Sequence, residues 1–264
     1  MSVGPGIGGT RATKRCRVEV AGRVVAGRVD GDHVVDDACG ERHALAGARF
    51  LPPVIPANFY AAGLNFRAHI AWANAHLGTQ YKVPEQADIG YRSPNALIGH
   101  GEDIVIPADS PGPVEFEGEL VAVIGRPARH VREEDALAHV AGYTLGNDVS
   151  ERAWQQSDRT LWRAKNCDRF KPMGPFVVGG LDPAAQRIEV RVNGRTVSSY
   201  DTGAMIFPLA HFIARMSRYV TLHPGDVIWL GCDGPTEPAL EDGDLVEVVN
   251  DAIGVLANRV VRER

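Results

Sequence analysis

Several features that would place a chain in a specialised class are scarce in this sequence. Only four of the 264 residues are cysteine, and Cys16, Cys39, Cys167 and Cys232 form no CxxC pair. Neither a zinc ribbon nor a thioredoxin-like motif is therefore predicted. No apolar run approaches the roughly 20 residues that a membrane helix needs, and the first residues lack the apolar core of a signal peptide. We expect reduced thiols, no membrane partner and a cytoplasmic location.

Positive charge is not in excess either. Lysine and arginine number 28 against 33 acidic residues, which gives a net charge of -5. Because no basic block could neutralise a run of phosphates, nucleic acid is not an expected partner. The apolar fraction of 44% and the charged fraction of 23% are those of an ordinary globular protein.

The chain divides into three predicted regions. Residues 1–15 are glycine-rich at their start and are predicted to be a mobile tail, and residues 16–56 alternate short β-branched runs with glycine and aspartate, which is typical of a small N-terminal β domain. The proline-bearing stretch LPPVIPAN, residues 51–58, is predicted to be the connector to a larger domain over residues 57–264.

The larger domain is predicted to be mixed α/β and mainly β. Its strand-like runs are EGELVAVIG, AGYTLGN, PFVVGG, IEVRV, GDVIWLG, LVEVV and GVLANRVV, with an Asn193-Gly194 turn signal between two of the strands. Helical patterns are fewer. They cover residues 133–139, residues 208–216, where Leu209, Phe212, Ile213 and Met216 form one apolar stripe, and the segments after Asn65 and after Ser150, with Asn65 a candidate helix cap.

The segment from Val114 to Gly125 concentrates acidic residues next to an apolar run. If it is extended, Glu115, Glu117 and Glu119 share one face of the strand, because side chains alternate with a period of two. Close carboxylates repel each other unless a cation neutralises them, and their oxygens suit Mg²⁺, Mn²⁺ or Ca²⁺. The alternative is an edge strand with a solvated acidic face.

A second acidic position follows about thirty residues later. Asp148 ends the apolar run AGYTLGN and precedes Ser150, a plausible helix cap, so it would lie at a strand end where ligands are commonly presented. If that helix forms, Arg152, Gln155 and Arg159 recur on about one face. An arginine and an amide beside carboxylates suit an anionic substrate, whereas a solvated helix face is the alternative.

The order of these segments resembles the catalytic domain of the fumarylacetoacetate hydrolase family. The blocks that carry the resemblance are EFEGELVAVIG, GYTLGNDVSER, AKNCDRFKPMGP, VNG with MIF, TLHPGDVIWLG and IGVLANRVV, between about residues 61 and 261. The resemblance implies a β-roll fold, a homodimer and one divalent metal ion per subunit, bound by Glu117, Glu119 and Asp148. The apolar strands after Asp226 would also need covering, which is a second reason to expect a homodimer.

The resemblance also implies roles for other residues of the site. Lys165 matches the family's active-site lysine, and Arg152, Gln155 and Thr202 fall on positions that commonly line the substrate pocket. His69, in the segment GLNFRAH, is the candidate general base, since imidazole titrates near neutral pH.

The sequence departs from the family pattern at several positions of this pocket, among them Ser198 in place of a common glutamine and residues 231–235 in place of a GTPxG turn. Many relatives carry a glutamate three residues after the histidine, where this chain has Trp72, which we expect to form an aromatic wall for the substrate. Family members often have a lysine where this chain reads Tyr91-Arg92-Ser93-Pro94. These changes leave the expected metal ligands intact.

Three functions are compatible with this pattern. The first is a metal-dependent hydrolase that cleaves a C–C bond in a small β-diketo or oxo acid, with water activated by His69 and an enolate stabilised by the metal and Lys165. The second is a decarboxylase or isomerase of an oxo acid, which needs no activated water. The third is a non-catalytic binder that keeps the metal site.

Overall fold

The strands before the connector form a contiguous β region. In a computed structural model, which describes residues 13–76, 78–234 and 236–264, these strands are β1 (Lys14–Val20), β2 (Arg23–Asp30), β3 (His33–Asp36), β4 (Arg42–Ala44) and β5 (Arg49–Phe50). Strand β1 begins at Lys14, and residues 1–12 of the predicted tail lie outside the described residues. Residues 51–58, the predicted connector, contain no helix or strand.

The rest of the chain is also mainly β, as predicted. Its strands are β6 (Phe59–Ala62), β7 (Ile89–Tyr91), β8 (Leu97–Ile98), β9 (Ile104–Ile106), β10 (Val114–Glu115), β11 (Gly118–Ile124), β12 (Val140–Asn147), β13 (Ser150–Glu151), β14 (Lys171–Val178), β15 (Arg187–Val192), β16 (Arg195–Asp201), β17 (Val227–Trp229), β18 (Leu245–Asn250) and β19 (Gly254–Arg262). The helices are α1 (Arg67–His76), α2 (Arg152–Ser157) and α3 (Leu209–Ser217), with 3₁₀ turns at Pro94–Ala96, Glu133–His139 and Thr202–Ala204.

Two main sheets carry this architecture. The larger has the order β4-β3-β2-β1-β14-β12-β11-β17-β6-β7, with β5 on β1 and β8 on β14, and the other has the order β16-β15-β18-β19-β9. The N-terminal strands extend the larger sheet, because β1 pairs with β14 from Lys14 opposite Val178 onwards. The Asn193-Gly194 turn joins β15 to β16 with φ values of 52° and 76°, which two-residue hairpin turns require.

Strand β11 lies at the centre of the larger sheet and is buried on both faces. Val121 and Val123 pack on one face with Trp229, while Leu120 and Ala122 belong to the main core on the other. The neighbouring strand β17 is buried within the chain as well. Strand β17, the first of the apolar strands after Asp226, is thus covered within the chain, and the homodimer stays a prediction.

Helix α3 confirms the predicted apolar stripe, but two predicted caps are wrong. Ser150 lies in β13 and donates to the main-chain oxygen of Asp148 at 2.8 Å, while Glu151 caps α2 by accepting from the Trp154 N–H. Asn65 instead joins loops: its side-chain amide donates to the Leu230 oxygen at 3.0 Å. All four cysteines are free thiols. Within the described residues, none of the helices is both long and apolar enough to cross a membrane.

Candidate active site

The three predicted metal ligands lie together at the end of the paired strands β11 and β12. Glu117, Glu119 and Asp148 are all buried, and each offers a carboxylate oxygen within 4.8 Å of the others. The register of the two strands brings them together, since Gly118 pairs with Asn147 and the Asp148 N–H donates to the main-chain oxygen of Glu117 at 2.8 Å. The alternative of a solvated acidic face is thereby excluded.

Glu115 is buried beside this cluster without joining it. Its carboxylate accepts from Arg152 Nε at 2.6 Å and from the Thr236 hydroxyl. The Arg152 guanidinium also donates through Nη1 to Glu117 at 2.8 Å and to the Gln155 side chain at 2.7 Å. Arg152 therefore links α2 to the carboxylates, and its own pKa is raised by Glu117 and Glu115 against the opposing effect of burial.

Asp148 is surrounded by cations. Arg92 donates to both of its carboxylate oxygens, and Lys165 and Lys171 each lie 2.9 Å from one of them. Burial alone would raise the pKa of Asp148, but Arg92, Lys165 and Lys171 together hold it well below its usual range. Asp148 is consequently ionised at neutral pH.

The two glutamates differ sharply in their surroundings. Burial favours the neutral form of Glu117, but Lys165, at 2.8 Å, and Arg152 lower its pKa to about 2. Glu119 makes no ion pair among the described residues; its carboxylate accepts from the Gly231 N–H at 2.8 Å. Burial, followed by the charges of Asp148 and Glu117, raises the pKa of Glu119 to about 8.

These donors fit a divalent metal ion. Three carboxylate oxygens are the ligands that hard cations prefer, and a metal must displace the proton of a protonated ligand. Of the three carboxylates, Glu119 is the one whose surroundings lack positive charge, and its pKa is raised for that reason. A cation bound between Glu119, Glu117 and Asp148 would relieve that repulsion.

The candidate base lies on helix α1 with a fixed tautomer. His69 Nδ1 lies 3.1 Å from the main-chain oxygen of Cys232. Because a carbonyl oxygen only accepts, Nδ1 carries the hydrogen and Nε2 keeps its lone pair. Burial lowers the pKa of His69, so the neutral imidazole predominates at pH 7. The Trp72 ring stands edge-on at 6.1 Å from the imidazole and stacks on His76.

A cavity of about 290 Å³ joins these groups. Its wall includes most of the predicted site residues, which are His69, Trp72, Glu117, Glu119, Asp148, Arg152, Gln155 and Lys165. Thr202 is not among the lining residues; its hydroxyl bonds to the main chain of Gln186 at 3.0 Å, so its predicted contact with substrate has no support in this geometry. Arg159 does not line the cavity either, and it lies beyond the end of α2 at Ser157.

Two cations of the site were not predicted as site residues. Arg92 reaches Asp148 from the segment after β7, and Lys171 is fully buried at the start of β14. One signal pointed to Arg92, since relatives often carry a lysine in that segment. Lys171 lies in the block AKNCDRFKPMGP, where the resemblance favours Lys165 for the active-site role.

A family model and several known proteins are similar to this chain in sequence. The family described as Fumarylacetoacetate (FAA) hydrolase C-terminal matches residues 58–261. An uncharacterised protein of Archaeoglobus fulgidus is 37% identical over 243 residues, which are 91% of this chain and 93% of that protein. A mitochondrial oxaloacetate tautomerase of Homo sapiens is 35% identical over 228 residues, which are 80% of this chain and 69% of the relative.

Solved structures agree with the sequence relatives. The 5-carboxymethyl-2-hydroxymuconate delta-isomerase from Mycobacterium smegmatis superposes with a TM-score of 0.85 at 33% identity, over 95% of this chain and 99% of that chain. A 2-hydroxyhepta-2,4-diene-1,7-dioate isomerase from Mycobacterium marinum gives a TM-score of 0.84 at 31% identity, over 95% of this chain and 99% of the other.

Proposed function

Because the chain belongs to the fumarylacetoacetate hydrolase family, we propose that it is a divalent-metal-dependent isomerase that interconverts the keto and enol forms of a small oxo acid. Glu117, Glu119 and Asp148 would hold Mg²⁺, Mn²⁺ or Ca²⁺. Once bound, the metal supplies a Lewis acid for the two adjacent oxygens of an oxo acid. The names of the human tautomerase and the two mycobacterial isomerases support this reaction class.

The proton transfer is assigned to His69. Its unprotonated Nε2 takes a proton from the carbon next to the ketone, and the C–H electron pair becomes the C=C bond of the enolate. The C=O π pair moves onto the oxygen, which then takes the same proton back from the His69 imidazolium, so one hydrogen is shifted and no water is consumed. The Lys165 ammonium, which lies at both Glu117 and Asp148, adds positive charge where the oxyanion develops.

The surroundings of His69 are the observation that carries this proposal. Its ring is held by the Cys232 main-chain oxygen, and the place three residues along α1 is filled by Trp72 and not by an acid. A carbonyl fixes the tautomer but brings no full negative charge to stabilise an imidazolium, so the base is weak. A weak base suits a carbon acid whose ketone is already polarised better than it suits the deprotonation of water.

The charge of the site favours a dianionic substrate. The buried carboxylates of Glu115, Glu117, Glu119 and Asp148 are matched by the side chains of Arg92, Arg152, Lys165 and Lys171. Once Glu119 is ionised, as a metal ligand must be, the four carboxylates and the four cations cancel, so a bound divalent cation would leave an excess of two positive charges. An oxo dicarboxylate would neutralise that excess, whereas an oxo monocarboxylate would not.

Hydrolysis of a C–C bond in a β-diketo acid is the second candidate, and decarboxylation is a variant on the same site. Hydrolysis is favoured by the cavity position of His69, whose free Nε2 could equally face a water molecule.

The test is to strip the protein with EDTA, restore Mg²⁺ or Mn²⁺, and supply enol oxaloacetate and acetylpyruvate in parallel. Metal-dependent loss of the enol absorbance without new products by mass would support the isomerase. Pyruvate plus acetate from acetylpyruvate would establish hydrolysis, and release of CO₂ from oxaloacetate would establish decarboxylation. His69→Ala serves as the control, because it should abolish the proton transfer while leaving metal binding intact.

A further inference from the structure

Both oxygens of the Asp148 carboxylate are contacted by two cations each. A carboxylate offers about four acceptor sites, two on each oxygen. Oδ1 accepts from Arg92 Nε at 2.9 Å and contacts Lys171 Nζ at 2.9 Å. Oδ2 accepts from Arg92 Nη2 at 2.6 Å and from Lys165 Nζ at 2.9 Å. For Asp148 to ligate a metal ion, one of these three cations must therefore withdraw.

The two lysines are the costlier cations to move. Lys171 is fully buried, and its ammonium also donates to the main-chain oxygens of Val149 at 2.7 Å and Phe170 at 3.0 Å. Lys165 is shared with Glu117 at 2.8 Å, so its withdrawal would leave two carboxylates without that partner. A buried charge that loses its partners pays a large desolvation cost.

Arg92 is the cation with the fewest other partners, although its side chain is buried as deeply as that of Lys165, at 7% against 6% exposed. Apart from Asp148, the one partner of its guanidinium among the described residues is the main-chain oxygen of Tyr91, at 3.0 Å. Arg92 follows β7, which ends the strand order of the larger sheet and pairs with β6. Because the Arg92 side chain lines the cavity, a withdrawn guanidinium would remain inside the substrate space.

We propose that a metal ion displaces Arg92 from Asp148, and that the freed guanidinium then binds the remote carboxylate of an oxo dicarboxylate. The identity of the substrate group rests on the function proposed above. The planar fork of Arg92 already makes a two-pronged contact with one carboxylate, and a substrate carboxylate offers the same geometry. Metal binding would thus create the site for the second negative charge of the substrate.

The first test measures metal binding without any substrate. Arg92→Met keeps an unbranched apolar side chain and removes the guanidinium, so it removes the competitor for Asp148. We expect EDTA-treated Arg92→Met to bind Mn²⁺ about tenfold tighter than the wild type in calorimetry, the worth of one hydrogen bond to a charged group. If Arg92 only positioned Asp148 as a ligand, Mn²⁺ would bind more weakly to the variant, which would overturn the proposal.

The second test measures recognition of the remote carboxylate. The probes are 2-oxoglutarate and 2-oxovalerate, which have the same chain length and differ by one carboxylate. Titrated into the Mn²⁺-loaded wild type, 2-oxoglutarate should bind more tightly, and Arg92→Met should reduce this preference about tenfold. An unchanged preference would refute the role of Arg92 in binding substrate.

Two further variants serve as controls for both binding measurements. Arg187→Met removes an arginine from an exposed ion pair with Asp201, 3.3 Å away, and should change neither quantity. If Arg92→Met does not give a native near-ultraviolet circular dichroism spectrum, Arg92→Lys takes its place. A single ammonium cannot make the two-pronged contact, so the effects should keep their signs and shrink. If both binding results hold while enol conversion is absent, the proposed reaction fails and the displacement of Arg92 stands.

Discussion

Replacing Glu119 by glutamine should stabilise the metal-free protein and at the same time impair metal binding. Glu119 makes no ion pair in the described part of the chain, and carboxylate oxygens of Glu117 and Asp148 lie within 4.8 Å of its own. Glutamine has nearly the same shape, and its carbonyl can still accept from the Gly231 N–H. Its new N–H₂ group would donate towards the two carboxylates at every pH, whereas Glu119 repels them once it is ionised.

The magnitude follows from the pKa of Glu119. In the folded protein it is about 8, compared with 4.5 for an ordinary glutamate. Because the folded-state pKa is raised, the group favours folding most at low pH, and that advantage is lost as the pH rises from 4.5 to 8. At pH 7 the mismatch costs the folded state on the order of 3 kcal/mol, which the glutamine variant would not incur.

Glu117→Gln is the matched control, because it removes a carboxylate of the same cluster with the opposite electrostatics. Lys165 and Arg152 depress the pKa of Glu117 to about 2, against the effect of burial. Glu117 therefore stabilises the fold above pH 4.5, and this contribution is lost as the pH falls from 4.5 towards 2. Its removal should destabilise the protein by about 3 kcal/mol at pH 7, since two buried cations lose a partner.

Urea denaturation in EDTA at pH 5.5, 7 and 8.5, with Mn²⁺ calorimetry alongside, distinguishes these expectations. Glu119→Gln should gain stability over the wild type increasingly as the pH rises, and both variants should lose most of their Mn²⁺ affinity. A less stable Glu119→Gln protein at pH 8.5 would refute the charge argument. Unchanged Mn²⁺ binding in either variant would refute its assignment as a metal ligand.

Three further predictions concern the base, the assembly and the packing of the central sheet. His69→Ala should slow turnover by roughly 10² to 10⁴-fold, and Trp72→Glu should raise acetylpyruvate hydrolysis; rapid wild-type hydrolysis that survives His69→Ala would show that another group is the base. Light scattering at micromolar concentration should give twice the 28.5 kDa chain mass, whereas a species of 28.5 kDa alone would contradict the homodimer. Gly146→Ala should cost roughly 1–3 kcal/mol in urea denaturation, because its Cβ would lie 2.6 Å from the Trp229 ring, while Gly90→Ala, with its nearest contact at 3.5 Å, should be nearly neutral.

The carboxylates of the site were predictable because they combine two local signals. Glu117 and Glu119 are spaced by two on a strand that continues into an apolar run, and Asp148 ends the partner strand. Period and strand ends are properties of short segments, so they can be read without tertiary information. The cations that pair with these carboxylates could not be predicted in this way. Arg92 lies 56 residues from Asp148 in the sequence, and only the paths of β7 and β12 decide that the two meet.

The wrong helix caps show how tertiary contacts override local preference. Ser150 and Asn65 are residue types that favour a helix N-terminus. In the structure the Ser150 hydroxyl is used by the strand end that presents Asp148, and the Asn65 amide joins loops 142 and 165 residues away. Glu151, a weaker capping type, takes over at α2 because the chain turns there. Asn65 follows Leu64 and Glu151 precedes Arg152, and both of these neighbours line the cavity.

The uneven distribution of cations follows from where each carboxylate lies on the hairpin. Glu117 and Asp148 lie just beyond the last β11–β12 pair, Gly118 with Asn147, so side chains from α2 and from the segment before β14 can reach them. Glu119 lies one pair further into the sheet, opposite Gly146, and its carboxylate accepts from the main-chain N–H of Gly231. Although Glu119 lines the cavity, it forms no ion pair with a lysine or arginine of the described residues. A small ion brings no side chain, and it is the counter-charge that this position can accept.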